Sequence, residues 1–115
     1  FLWIQGSDAL DGPSLMIGCD AVVTGLGNAR VEPYVDMYRA AVVEDWQTVR
    51  ECQARINQLR GIITLCGNSV SAVKAAAEIA GRGSRWMRQK STSLSGNTIQ
   101  AVADLLGEFD RQYAH

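Results

Sequence analysis

The first 28 residues carry two short apolar runs, each followed by a turn of small and polar residues. Residues 1–5 form one continuous run that ends at residues 6–8, and residues 21–24 form a second, β-branched run that ends in a glycine-rich turn. Uninterrupted runs of this length are typical of strands buried on both faces of a parallel sheet. Pro13 lies between them at a position that suits the first turn of a helix. The pattern therefore predicts a strand–helix–strand unit with a parallel crossover.

After Asn28 the apolar positions step by three and four, which predicts four amphipathic helices. The first predicted helix begins at residue 32, the second follows Asp45 and continues to residue 63, and the last two span residues 69–80 and 97–113. In the first helix the apolar positions are expected at Val35, Tyr38 and Val42. The basic, turn-rich stretch 82–95 predicts a connector whose charged side chains are solvated, with ligand binding as the alternative.

Two parallel strands do not make a stable sheet, because both outer edges would present unpaired backbone groups. Something else must complete the sheet: another segment of the same polypeptide, a second chain, or another copy of this one. The chain also opens at Phe1, inside an apolar run. We therefore expect a fragment, a processed product, an incompletely recorded polypeptide, or a short chain that has lost its initiator methionine.

Composition excludes several classes of function. The chain is 47% apolar and 20% charged, with a net charge of −1, so it is expected to fold around a core and to bind neither nucleic acid nor an anionic membrane. No apolar run reaches the length of a bilayer-spanning helix, and no secretory leader is evident, so a cytoplasmic location is predicted. Small molecules and other protein chains remain as partners.

The cysteines and the histidine narrow the chemistry further. Cys19, Cys52 and Cys66 are irregularly spaced, which argues against a disulfide framework and against a zinc site, and predicts reduced, mostly buried thiols. The only histidine is His115, so no histidine-based triad or metal cage can be built within the chain. Neither a metal nor a cofactor is predicted.

Three longer runs are similar, in residue type and in spacing, to the end of a known enzyme family. The runs are FLWIQGSD, GCDAVVTGLGN and EPYVDMYRAAVVEDW. They resemble the last two barrel strands and the following helix of the dihydrodipicolinate synthase and N-acetylneuraminate lyase family. The similarity continues through residues 71–74 (SAVK) and Arg88, although Gln89 and Lys90 replace the prolines that the family usually has there.

The resemblance implies an α/β fold: the C-terminal part of a (β/α)8 TIM barrel, mostly helical in this segment. Residues 1–45 would be the last two β/α units, and residues 46–115 a C-terminal helical extension. It also implies a class I lyase or synthase that binds a 2-keto acid such as pyruvate as an imine on a lysine. That lysine, a tyrosine proton shuttle and a threonine pair would all lie upstream, so no catalytic residue is expected in this chain. Family members are commonly homotetramers.

The substrate-binding residues that the resemblance implies lie at the two strand ends. Gly6 and Val23 match positions whose backbone lines the keto-acid pocket, and Ser7 and Asp8 lie where members differ in substrate preference. The working groups of a barrel lie at the carboxyl ends of its strands, which agrees with this assignment. The glycines there could serve turn geometry or close approach of a substrate, and the sequence leaves both interpretations open.

Other candidate residues are assigned structural roles. Lys74 and Lys90 are not expected to form an imine, because a nucleophilic amine needs desolvation or a cationic neighbour. Tyr34 and Tyr38 are predicted to pack on the first long helix. The three tryptophans are predicted to be core or interface anchors. Two alternatives to the enzyme remain: a non-catalytic helical interaction module, and a barrel that has lost its catalysis.

Overall fold

The computed structural model describes residues 1–89 and 93–113, so Lys90 and His115 lie outside the described residues. There are two short strands, β1 (Ile4–Gln5) and β2 (Ala21–Val22), and short 3₁₀ turns at Asp8–Leu10 and Leu26–Asn28. The helices are α1 (Asp11–Met16), α2 (Glu32–Val42), α3 (Trp46–Leu59), α4 (Gly61–Cys66), α5 (Ser69–Ile79) and α6 (Gly96–Gln112). Within the described ranges the chain is therefore mostly helical, as predicted.

The two strands pair in parallel through the α1 crossover, so the predicted strand–helix–strand unit is present. Ile4 lies opposite Ala21, and the Val23 N–H donates to the Gln5 carbonyl over 2.8 Å. The strands are shorter than predicted, with two residues each. The prediction that the first run is buried on both faces is wrong for this chain alone: the exposed fraction is 75% for Leu2 and 56% for Ile4. No described element covers these side chains, because the sheet has only two strands.

Helix α2 buries a different face from the one predicted. Val35, Tyr38 and Val42 are exposed, whereas the buried positions are Pro33, Tyr34, Met37 and Ala40. Both faces of this helix carry apolar residues, so the sequence pattern did not distinguish them. The face that contacts α1 is the buried one, and the second apolar stripe is left on the surface.

The chain divides into two compact units, residues 1–58 and residues 59–115. Most of α3 belongs to the first unit, where Val49, Cys52 and Ile56 are buried. The predicted helix that continued to Ile63 is interrupted at Arg60, after which α4 begins. The boundary predicted at residue 45 separates the last β/α units of a barrel from a helical extension, which is a different division from that into compact units. It stays a prediction.

In the second unit α4, α5 and α6 pack against one another around buried side chains that include Ile62, Ala72 and Leu106. The Asn68 side chain accepts from the Ser71 N–H at the start of α5, and Ser95 caps α6 in the same way. Gly67 and Gly81, both with positive φ, follow α4 and α5. The last two predicted helices are confirmed to within about one residue at each end.

The structure confirms the prediction for the cysteines but not a core position for Trp86. All three cysteines are free, with Cys19 and Cys52 buried, as predicted. Trp86 is not a core residue in this chain, since 65% of it is exposed, and its ring lies against the Arg85 guanidinium at 4.8 Å. Among the described residues, no single helix is both long enough and apolar enough to cross a bilayer.

Candidate functional site

The carboxyl ends of β1 and β2 lead into two adjacent turns, which we call the first turn (Gly6, Ser7 and Asp8) and the second turn (Val23, Thr24 and Gly25). Adjacent parallel strands bring such turns to one edge of a sheet, where ligands of α/β proteins usually bind. The hydrogen bond from the Val23 N–H to the carbonyl of Gln5, the last residue of β1, places the two turns side by side. All four residues predicted to contact substrate, Gly6, Ser7, Asp8 and Val23, lie at this edge, and their binding role stays a prediction.

Gly6 faces open space. A Cβ built on it would meet no described atom within 4 Å, and its φ lies outside the positive range found at Gly18, Gly67 and Gly81. Neither turn geometry nor packing therefore requires a glycine at this position. Of the two interpretations that the sequence left open, turn geometry does not account for Gly6, and close approach of a substrate stays a prediction.

Gly27, just beyond the second turn, has the opposite explanation. A Cβ at this position would lie 2.6 Å from Cγ2 of Thr24, which is closer than real contacts allow. Its N–H also donates to Thr24 Oγ1 over 3.1 Å. This glycine is therefore needed so that the backbone can pack over Thr24, and it gives no evidence for a ligand.

The Asp8 carboxylate joins the two turns and α2. Its Oδ1 atom accepts hydrogen bonds from Thr24 Oγ1 and, over 2.9 Å, from the Tyr34 hydroxyl. Tyr34 is 4% exposed, and burial raises the pKa of its phenol far above the usual range, with the Asp8 charge acting in the same direction. The phenol is therefore a permanent donor. Tyr34 was predicted as a packing residue, and it both packs and orients Asp8.

Asp11 lies under the first turn and is completely buried. Its Oδ1 atom accepts from Gln5 Nε2 over 2.8 Å, while Oδ2 has no hydrogen-bond partner in the described part of the chain. The pKa of this carboxyl is raised to about 6, mainly by burial and also by the nearby Asp8 charge, while the hydrogen bond from Gln5 opposes the shift. Ionised and neutral forms of Asp11 are thus both accessible near neutral pH.

Gln53 attaches α3 to the same region. Its Nε2 donates to the Asp8 carbonyl over 2.9 Å, and its Oε1 accepts from the Gly12 N–H over 2.8 Å. Gln53 was not among the predicted site residues, and neither were Gln5, Asp11 and Thr24. A signal was available for Gln53, because it lies four residues after Val49 and three before Ile56 and so shares the buried face of α3.

An apolar groove of about 400 Å³ lies between β2 and α2. Its walls include Ala21, Val22, Thr24, Val31, Val35 and Tyr38. The exposed stripe of α2 forms one side of it. The groove thus lies between an edge strand, β2, and the exposed apolar face of α2. Stable proteins usually cover such surfaces with a further strand or helix.

The elements and the turns at their ends define an α/β protein with a parallel sheet and a polar edge. Comparison with known proteins gives the family: residues 1–108 match the model of the Dihydrodipicolinate synthetase family. The chain belongs to this family.

Individual relatives agree with that assignment. The chain is 30% identical over 110 residues to the 4-hydroxy-tetrahydrodipicolinate synthase of Methanospirillum hungatei, which covers 96% of this chain and 38% of the relative. It is 34% identical over 106 residues to the synthase of the same name from Methanosarcina barkeri, covering 92% of this chain and 36% of the relative. The chain thus spans little more than a third of the length of these curated relatives.

A solved structure shows the same fold. Dihydrodipicolinate synthase from Bacteroides thetaiotaomicron superposes with a TM-score of 0.85 at 23% identity, covering 94% of this chain and 38% of that chain. The arrangement of strands and helices described above is therefore shared with part of a known synthase.

Proposed function

We propose that this chain is the C-terminal part of a barrel enzyme that binds a 2-keto acid, such as pyruvate, as an imine and uses it in aldol condensation or cleavage. The observation that carries the proposal is the shared edge of the two turns, with the open space in front of Gly6, in a chain of this family. The imine-forming lysine, on this proposal, belongs to residues outside this chain. A homo-oligomeric state and a cytoplasmic location stay predictions.

The unfinished surface of the sheet supports the barrel. Leu2 and Ile4 of the first apolar run are exposed, and the groove between β2 and α2 is open. Exposed apolar strands of this kind pair with other strands in stable proteins. We assign the groove and the free edge of β1 to neighbouring strands and helices of the same barrel, which the greater length of the relatives would supply.

The chemistry assigns supporting roles to the residues of this chain. An imine nitrogen carries positive charge and withdraws electrons from the neighbouring carbon, which allows a carbon–carbon bond to form or break. The lysine supplies that nitrogen. Gly6 and Val23 would contribute backbone walls to the keto-acid pocket, and the Ser7 hydroxyl would reach the substrate from the exposed first turn.

One oxygen of Asp8 is engaged within this chain. Its Oδ1 atom is already engaged by two hydroxyls, so this oxygen orients the turn instead of binding substrate. We therefore assign Asp8 to the shape of the pocket edge. The family match extends through both compact units, which favours this proposal over a free-standing helical interaction module.

The experiment is imine trapping in the assembled enzyme, by which we mean the polypeptide that carries this chain together with the rest of the proposed barrel. Incubation with pyruvate and borohydride should fix one keto-acid adduct on one lysine outside this chain, located by peptide mass spectrometry. Acetate, which has no keto group, should leave no adduct, and a Lys74→Arg variant should label as well as the parent. An adduct on Lys74, or no adduct, would contradict the proposal.

A further inference from the structure

The carboxamide of Gln5 uses both of its N–H donors and its carbonyl oxygen on two residues, Ser7 and Asp11. Its Nε2 donates to the Ser7 carbonyl over 2.9 Å and to Asp11 Oδ1 over 2.8 Å, and its Oε1 accepts from the Ser7 N–H. A primary amide has two N–H donors and one carbonyl acceptor, so no donor is left over. One side chain therefore holds both polar backbone groups of Ser7.

Gln5 holds the first turn at the Ser7 N–H, whereas the Ser7 carbonyl also accepts from the Leu10 N–H over 2.9 Å. Gly6 and Ser7 are exposed, and the space in front of Gly6 is open. Gln5 is the last residue of β1, so the hydrogen bonds within the sheet fix its backbone. The Gln5 side chain thus fixes the backbone of the two residues that follow β1, Gly6 and Ser7. The backbone of this turn lines the proposed pocket.

Asp11 explains the orientation of the amide. Its fully buried Oδ1 accepts from Nε2, which places the amide nitrogen on the inner side and leaves Oε1 for the Ser7 N–H. A buried carboxyl with an unpaired oxygen lowers stability, and such costs are typical of functional sites. An apolar residue at position 11 would avoid the cost but would remove the buried acceptor that orients the Gln5 amide.

From this geometry we infer that Gln5 is a positioning residue: its amide, oriented by Asp11, fixes the Gly6 and Ser7 backbone in the conformation that receives the keto acid. Glutamate has the same shape but no amide donor, so it could not bind the Ser7 carbonyl or an ionised Asp11. Asparagine is shorter by one methylene. The keto acid as substrate rests on the proposed function, whereas the contacts of Gln5 are independent of it.

The test uses the assembled enzyme with Gln5→Glu and Gln5→Met, which keep the length of the side chain and remove its donors. The keto-acid KM is expected to rise about tenfold, because the substrate would then have to order the first turn as it binds. The KM of the second substrate should change less than about twofold, because a local turn is affected and not the whole site. Hydrogen exchange at the Ser7 amide should quicken in Gln5→Met, which removes the acceptor Oε1, and stay slow in Gln5→Glu, which keeps an acceptor for this N–H.

Asp11 variants separate positioning from general loss of structure. Asp11→Asn keeps an acceptor for Gln5 and should keep the keto-acid KM near that of the parent, whereas Asp11→Leu should raise it. Asp11→Leu combined with Gln5→Met should be no worse than Gln5→Met alone, because Asp11 acts through Gln5. Additive effects would overturn the inference.

The remaining outcomes distinguish this inference from the proposed function. Unchanged Ser7 exchange in Gln5→Met would overturn the inference, whatever reaction the enzyme performs. Faster exchange with an unchanged keto-acid KM would also overturn it, because the turn would then be held without serving the substrate. Failure of the proposed function would show instead as no imine adduct in the parent enzyme, with Ser7 exchange still sensitive to Gln5.

Discussion

The Tyr34 hydroxyl donates to Asp8 Oδ1 over 2.9 Å and so connects the buried face of α2 to the turn that follows β1. Thr24 donates to the same oxygen, so one atom receives hydrogen bonds from two separate elements. Hydrogen bonds to a carboxylate are stronger than those between neutral groups. The relative position of the two strand ends is therefore fixed by side chains as well as by backbone pairing.

Replacing Tyr34 tests this connection. Tyr34→Phe removes the hydroxyl and leaves the ring, so the free energy of unfolding should fall by about 1–3 kcal/mol. The matched control is Tyr38→Phe, because the Tyr38 hydroxyl makes one 3.2 Å bond to the neutral Asp20 carbonyl. Denaturant titration of the assembled enzyme should show a smaller loss for the control, because a hydrogen bond to a carboxylate is stronger than one to a neutral carbonyl. Equal losses in the two variants would refute a special role for Tyr34.

Asp11 should make stability depend on pH in the direction opposite to most carboxyl groups. Its pKa rises from 3.8 to about 6 on folding, so between these values the folded state binds more protons than the unfolded state. Stability from this group is present below pH 3.8 and is lost as the pH rises through about 6. The loss is of the order of 3 kcal/mol.

The matched variant is Asp11→Asn, which stays neutral at every pH. It should be more stable than the parent at pH 7, and the difference should vanish towards pH 4, as measured by the free energy of unfolding across that range. The contrary result is an equal change in the free energy of unfolding for the parent and Asp11→Asn between pH 4 and pH 7. It would show that the carboxyl ionises in the folded protein without cost.

Gly27→Ala tests the packing of the second turn. The new Cβ would press on Cγ2 of Thr24, whose Oγ1 is held by Asp8 and by the Gly27 N–H. Overpacking of this kind costs about 1–3 kcal/mol. Adding Thr24→Ser removes the methyl group and keeps the hydroxyl, so the double variant should recover most of the loss in a thermal unfolding measurement. If the double variant recovers no stability, contact with the Thr24 methyl group is not the cause of the loss.

The sequence predicted the helices better than the site. Helix α5 was predictable from its Asn68 cap and the following Gly81, because local groups alone determine such ends. The buried face of α2 was not, since apolar residues occupy both faces and only the position of α1 selects between them. Gln5 and Asp11 could not be predicted either, because their bond joins two elements and neither residue belongs to a recognisable motif.

Gly6→Ala is the most direct test of the claim that the first turn forms part of a keto-acid pocket. The added methyl group meets no described atom, so the thermal midpoint of the assembled enzyme should stay unchanged. A substrate in the open space would meet it, so the keto-acid KM should rise about tenfold or more. Gly96→Ala, which also adds a methyl group in open space, serves as the control and should leave the KM unchanged. A Gly6→Ala enzyme that folds normally and keeps the parental keto-acid KM would contradict the account.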